Sequence, residues 1–287
     1  MSTVFTMPGK LGDALLQWPI AHHWLNDGAE TDRTCEIWLD ENTCKPLVPL
    51  FRAQPGVTAV NLVSGVENWN CGGQPFHMNL PTSAFDGRTI YHLGLRAFPV
   101  RQITLQTMND CRVPVSVDTD TLANEPSIVL PDAPPPANRL LLHGQGICPH
   151  SRSTPRFWRF LAAVRDELEA IFSEICFVGS SRDLEVAHEA YPRWGLLPDD
   201  GDFLVLARNI ADSRAFIGCG SAPVALAGAL KVPAIRVHDP IGNDAPKMIW
   251  DNLGENQLND TDIGLRKSWP EFRDRWLKTV DSAAPTP

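Results

Sequence analysis

Apolar positions along the chain take two forms: short unbroken runs, and longer stretches in which apolar side chains recur at helical spacing. Residues 3–7 (TVFTM), 35–39 (CEIWL) and 57–63 (VTAVNLV) are runs of strand length, rich in β-branched and aromatic residues, and read as buried strands. Residues 8–12 (PGKLG) form a turn, and the helical pattern that follows covers residues 13–25. The stretch 64–81 is rich in Asn, Gly and Pro and reads as a long loop, a kind of segment that is often functional in a compact domain. Residues 124–138 (NEPSIVLPDAPPPAN) hold five prolines and read as a connection between two lobes.

Beyond that connection strand and helix alternate. Strands are expected at 139–143 (RLLLH), 175–179 (ICFVG), 215–218 and 234–237. Helices are expected at 155–171, with Pro155 near its first turn, and at 182–190, 203–212 and 223–230. Such alternation implies βαβ units, hence an α/β fold with parallel sheets and helices on both faces. Residues 268–280 (SWPEFRDRWLKTV) read as an amphipathic helix opened by Ser268 and Pro270, with Trp269, Phe272, Trp276 and Val280 on one stripe. The expected organisation is a first lobe at 1–130, a second at 131–265, and a terminal helix at 266–287 that is a candidate to cross back to the first lobe.

Composition narrows the function classes. The 287 residues are 43% hydrophobic and 21% charged, an ordinary globular mixture. A formal net charge of -9 disfavours non-specific attraction to nucleic acid or an anionic membrane, which needs neutralising Lys and Arg. Seven scattered cysteines, odd in number and never in a CxxC pair, argue against a disulfide framework and a zinc site. No window approaches the ~18 apolar residues of a membrane span, and the first residues lack a secretory pattern, so a cytoplasmic protein without a transmembrane segment is expected.

Three places have residues suited to chemistry. Gly12-Asp13 lies where a strand turns into a helix, the edge at which open α/β sheets bind ligands. A carboxylate there can accept a proton from a hydroxyl, although Asp13 is equally suited to capping the helix. His143-Gly144-Gln145-Gly146 leads to Arg152-Ser153-Thr154-Pro155, where amides, hydroxyls and a guanidinium suit a phosphate; Arg152 also fits a solvated loop residue, and Ser153 or Thr154 a helix cap. The third is residues 216–227 (FIGCGSAPVALA), a buried strand running through Gly220, Ser221 and Ala222 into an apolar helix. Small side chains allow close backbone approach and the helix N-terminus favours an anion, while a plain βα turn has the same composition. It is neither a Walker A loop nor a GxGxxG fingerprint. His238, past the last strand, is a further candidate ligand contact; Cys219 and most of the nine tryptophans read as core, and His22-His23 fall on different helix faces.

Taken together these segments resemble glycosyltransferase family 9, the family of the lipopolysaccharide heptosyltransferases. Residues 12–19 (GDALLQWP) are similar to its "GD…P" turn–helix, and Arg152-Ser153-Thr154-Pro155 stands at its K-x-W-P position. Residues 177–183 (FVGSSRD) fit its strand ending in GxxxD/E, and residues 203–212 run into FIGCGSAPVALAGALKVPAI as the family's helix runs into D[ST]G-x-x-H-x-A-A-A-L-x-x-P. The likeness covers the first turn–helix and most of the second lobe, with no counterpart recognised between 64 and 120. It implies a GT-B fold, two Rossmann-like lobes with parallel sheets facing a central cleft, and a nucleotide-sugar donor held chiefly by the second lobe, with neither metal nor cofactor.

By the same resemblance Asp13 is the general base of an inverting transfer and Arg152 stabilises the leaving diphosphate. Asp183, beyond Gly179, stands where the family's acid meets the ribose, and Gly12, His143, Gly144, Ser153, Thr154, Gly220, Ser221, Ala222 and His238 line the donor. The chain departs from the family at two signature positions, where Gly220 replaces Asp and Ala225 replaces His. The expected activity is therefore a metal-independent, inverting glycosyltransferase. The alternatives are a non-enzymatic nucleotide-sugar-binding protein and a sugar-nucleotide epimerase on the same fold. The acceptor is left open among saccharide, protein, nucleic acid and small molecule.

Overall fold

The computed structural model describes residues 3–27, 32–64, 87–93, 108, 111–115, 117–132, 135–144, 153–199, 201–219, 221–237, 257–258 and 262–282. The chain divides into two compact units, changing over between Leu130 and Pro131.

In the first unit β1 (Thr3–Met7), β2 (Cys35–Asp40), β3 (Val57–Val63) and β4 (Thr89–His92) form an all-parallel sheet in the order β3-β2-β1-β4. The unbroken apolar run of β1 marks it as a strand with neighbours on both sides, and all five of its residues are buried. Helix α1 (Leu11–Asn26) buries Leu15, Trp18 and Ile20. Trp18 stacks on Phe51 with ring centroids 4.9 Å apart, and its indole N–H donates to the Ser127 carbonyl at 2.6 Å, so the only polar atom of a fully buried side chain is satisfied. The short helices α2 (Glu41–Cys44) and α3 (Val48–Arg52) connect β2 to β3, and α4 (Thr119–Asn124) follows later in the chain.

The second unit contains β5 (Ala137–His143), α5 (Ser153–Ile171), β6 (Glu174–Gly179), α6 (Ser181–Ala190), β7 (Gly195–Pro198), α7 (Phe203–Ala211), β8 (Ser213–Cys219), α8 (Ala222–Leu230), β9 (Ala234–Val237), β10 (Gln257–Leu258) and α9 (Asp262–Ser282). Its six strands are all parallel in the order β10-β9-β8-β5-β6-β7. Strand β7 was not among the expected strands, its four residues beginning with Gly195 and ending with Pro198. It lies at the sheet edge, where a missing N–H is tolerated, and a Cβ on Gly195 would stand 2.6 Å from Cys176 Sγ.

Three helix starts differ from expectation by two residues or more, α5 opening at Ser153 ahead of Pro155. Helix α1 begins at Leu11 rather than at Asp13, and α9 begins at Asp262, so Pro270 lies inside it instead of opening it. The proline removes one backbone donor, and the helix continues because its apolar stripe is packed. Trp269, Trp276 and Val280 join the core of the second unit, with Trp269 edge-on to Phe160 at 5.1 Å and Trp276 6.0 Å from Phe172. Arg273 donates to Glu167 on α5 at 2.6 Å. The side chain of Phe272, the fourth residue of the expected stripe, lies outside the described residues.

Candidate functional site

Counted from β5, the chain winds through β6 and β7 on one side and through β8, β9 and β10 on the other. This is a doubly wound order, and its switch point lies between β5 and β8, where such sheets leave a crevice outside the strands' carboxyl ends. The two strands end in register, His143 against Gly218. Both ends depend on glycine for packing. A Cβ on Gly144 would approach Trp158 to 2.9 Å and Phe157 to 3.1 Å, and one on Gly218 would meet Phe216 and Val224, each at 2.8 Å. With hydrogens there, α5 and α8 seat close against the sheet.

The turn after β8 is tied to the end of β5. Cys219 Sγ donates to the Gly144 carbonyl at 3.3 Å, and Ser221 Oγ lies 3.1 Å from the Cys219 carbonyl and 3.3 Å from His143 Nδ1. Ser221 is the N-cap of α8 with extended backbone, and its hydroxyl does not cap the helix because these partners occupy it. Its carbonyl accepts from the N–H groups of Val224 and Ala225, and Pro223 has none to offer. The Ala222 N–H is therefore the first-turn donor of α8, which makes this amide cradle narrower than the run of small residues implies.

Along the same edge, β6 ends at Gly179. A Cβ there would lie 3.3 Å from that of Asp183, which holds Ser180 in a reciprocal cap: Ser180 Oγ donates to Asp183 Oδ2 at 2.7 Å and accepts from the Asp183 N–H at 3.4 Å. Asp199 follows β7, and its N–H donates to the Gly179 carbonyl at 3.3 Å. His143 is 7% exposed; burial pushes its imidazole down, against the opposing pull of the Asp183 and Asp199 carboxylates. The structure thus gathers His143, Gly144, Gly179, Asp183, Ser221 and Ala222 at the strand ends of one sheet. Ser153 and Thr154 open α5 by their backbone, their side chains lying outside the described residues, as do Arg152, Gly220 and His238.

The first unit has an equivalent switch point between β1 and β4, whose ends pair Thr6 with His92. Thr6 Oγ1 lies 3.0 Å from His92 Nδ1. The turn after β1 is held by side chains: Gln17 donates to the Pro8 carbonyl at 2.9 Å, and the Thr43 hydroxyl lies 3.0 Å from the Gly9 carbonyl and 2.6 Å from Asp40 Oδ2. Gly9 has φ 109, which favours glycine. Gly12 and Asp13 lie in the first turn of α1, and the N-cap is Lys10, whose N–H donates to Asp13 Oδ2 at 2.8 Å. Asp13 therefore sits at N3 and closes the helix start from within, a position that also suits its charge to the helix N-terminus. Burial pushes the neighbouring Cys44 thiol up to about 12, with the Asp40 and Asp13 carboxylates adding to the shift, which disfavours its thiolate. His92, Thr6, Asp40 and Thr43 escaped the sequence reading. Asp40 and Thr43 follow a strand that was recognised, whereas the Thr6–His92 pairing depends on the sheet register.

Neither a protein-family model nor a curated protein matches this sequence. Solved structures do match its fold. A family 9 glycosyl transferase from Veillonella parvula superposes with a TM-score of 0.58 at 12% identity, covering 98% of this chain and 96% of that one. The E. coli heptosyltransferase WaaC, solved with ADP, gives a TM-score of 0.60 at 12% identity over 95% of this chain and 100% of that one. E. coli ADP-heptose lps heptosyltransferase II gives 0.57 at 13% identity over 97% and 99%. The chain therefore has the α/β GT-B fold of these enzymes along nearly its whole length. Among the described residues no helix is long and apolar enough to cross a membrane.

Proposed function

We propose that the protein is a metal-independent, inverting glycosyltransferase that moves a sugar from a nucleoside diphosphate to an acceptor hydroxyl. The observation that carries this reading is the β5–β8 switch point. Its two packing glycines, the Ser221–His143 pair and the Ala222 amide present an edge of small groups in a chain with the fold of enzymes that use such donors. In this reading Asp13 takes the proton of the acceptor hydroxyl as its oxygen attacks the anomeric carbon. The bond from that carbon to the diphosphate oxygen breaks on the opposite side, which inverts the centre. The departing diphosphate is met by Arg152 and by the amides around Ser221 and Ala222, with Asp183 on the ribose.

A second reading, nucleotide-sugar binding without transfer, is favoured by Gly220 and by Ala225, which is fully buried in α8 and has no imidazole to offer. Transfer assays on wild-type protein and Asp13→Asn, followed by mass spectrometry over a panel of nucleotide sugars and acceptors in excess chelator, separate the two. Wild-type transfer that persists with chelator and collapses in Asp13→Asn is the expected result. Equal transfer by both proteins would remove Asp13 as the base, and nucleotide binding without transfer or donor hydrolysis would establish the second reading.

A further inference from the structure

We propose that Thr43 is a positioning residue for Asp13, acting through the peptide group that joins Gly9 to Lys10; this rests on the transferase reading above, in which Asp13 is the base. The two ends of that one planar group are bound by different side chains. Its N–H, belonging to Lys10, donates to Asp13 Oδ2 at 2.8 Å. Its carbonyl, belonging to Gly9, is met from α2 by the Thr43 hydroxyl at 3.0 Å and by the Cys44 thiol at 3.4 Å. Because the peptide is rigid, whatever fixes the carbonyl also fixes the direction of the N–H, and through it the carboxylate that the N–H holds. A carbonyl that accepts hydrogen bonds also polarises its amide, so the Lys10 N–H is a stronger donor to Asp13 for the contacts behind it.

The hydroxyl is itself anchored. Thr43 Oγ1 lies 2.6 Å from Asp40 Oδ2, and the other oxygen of Asp40 accepts from the Asn42 N–H at 3.4 Å. A carboxylate and a carbonyl can only accept, so the single hydroxyl proton is shared between Asp40 and Gly9. Cys44 brings a second proton to the same carbonyl, and burial, which pushes its thiol up to about 12, keeps that proton in place. The adjoining carbonyls are bound as well: Gln17 donates to Pro8 at 2.9 Å, and the Ala14 N–H donates to Lys10 at 3.1 Å. The Gln17 amide must turn its N–H to Pro8, which leaves Oε1 buried without a hydrogen-bond partner. A plain connection between strand and helix can leave such carbonyls to water. Here three consecutive ones are bound, and the Gly9–Lys10 peptide links α2 to Asp13.

The test is steady-state transfer by wild-type protein, Thr43→Val, Thr43→Ser, and Thr43→Val combined with Asp13→Asn. Donors are ADP-, UDP-, GDP- and CDP-linked hexoses and heptoses, with the acceptor panel of the transfer assay. Val keeps the shape and removes the hydroxyl, whereas Ser keeps the hydroxyl. We expect kcat to fall about tenfold in Thr43→Val with both KM values unchanged, the split of an interaction felt in the transition state. Thr43→Ser should recover most of the rate, and Thr43→Val should add no further loss once Asp13 is Asn, since the two act in series. The amide proton resonance of Lys10 should move upfield in Thr43→Val and return in Thr43→Ser, reporting the weakened donor directly. If Thr43→Val does not fold, Cys44→Ala carries the test by removing the other donor to the Gly9 carbonyl, with kcat lowered about threefold at unchanged KM and the same upfield shift. A Lys10 resonance that does not respond, wild-type kcat in the folded variant, or a full further loss on top of Asp13→Asn overturns the inference and leaves the transferase reading in place. No transfer by the wild type with any donor overturns both.

Discussion

The two units place a histidine–hydroxyl pair at the same topological position and build the rest of the edge differently. At the β1–β4 point of the first unit, Thr6 faces His92, and the neighbouring turn is held by the side chains of Asp13, Gln17, Asp40 and Thr43. At the β5–β8 point of the second, Ser221 faces His143 among glycines, alanines and main chain, and the histidine is buried instead of exposed. The first edge is made of polar side chains, among them the titratable Asp13, Asp40 and His92, which suits proton transfer. The second sets backbone and small groups beside His143 and Asp183, which suits close approach of a ligand. Changes at the first edge should therefore act on rate, and changes at the second on stability and binding together.

The largest expected effect is on catalysis. Asp13→Asn should lower the transfer rate by about 10²–10⁴-fold, the usual worth of a general base. The melting temperature should barely move, because the amide oxygen can still accept from the Lys10 N–H. A comparable loss of stability would mean that Asp13 is only a helix-closing residue. At the second edge Gly218→Ala forces a methyl to within 2.8 Å of Phe216 and Val224, and should cost about 1–3 kcal/mol by chemical denaturation while weakening nucleotide binding. Smaller again is Asp202→Ala, which removes the acceptor of the Leu204 and Val205 N–H groups at the start of α7. The expected cost is about 1 kcal/mol, with no effect on transfer beyond it.

The smallest expected effect is a pH dependence to which the first unit contributes through His22. His22 in α1 is pushed down to about 4, by burial first and by its neighbour His23 second. The unfolded chain takes up the proton near 6.5, before the folded one does, so stability is full above 6.5 and is lost as pH falls toward 4. His22→Gln should flatten this slope in acid titrations followed by circular dichroism, and an unchanged slope would show that His22 is not its source.

Much of this comparison was legible in the sequence, and the illegible parts have identifiable causes. Strands β1, β3 and β9 have the predicted bounds because unbroken apolar runs leave little choice, and the α8 segment stood out because its alanines are buried along the whole helix. Strand β7 was hidden by Gly195 and Pro198, residues that an edge position tolerates. The start of α9 was misplaced because Ser268-Trp269-Pro270 carries a helix-start signal that tertiary packing overrides. At the sites, Asp13, His143, Ser221 and Asp183 could be picked out locally. Their partners could not: Ser221 meets His143 across 78 positions and Thr6 meets His92 across 86, pairings set by sheet register.

Hydrogen exchange followed by mass spectrometry, with and without saturating nucleoside diphosphates and their glucose esters, tests nucleotide binding at the β5–β8 switch point most directly. A ligand at 100 times its Kd stabilises the native state by about 2.7 kcal/mol, enough to slow local opening visibly. Slowed exchange should concentrate in peptides covering residues 141–144 and 217–226. Unchanged exchange in those peptides, alongside protection elsewhere or none at all, would contradict it.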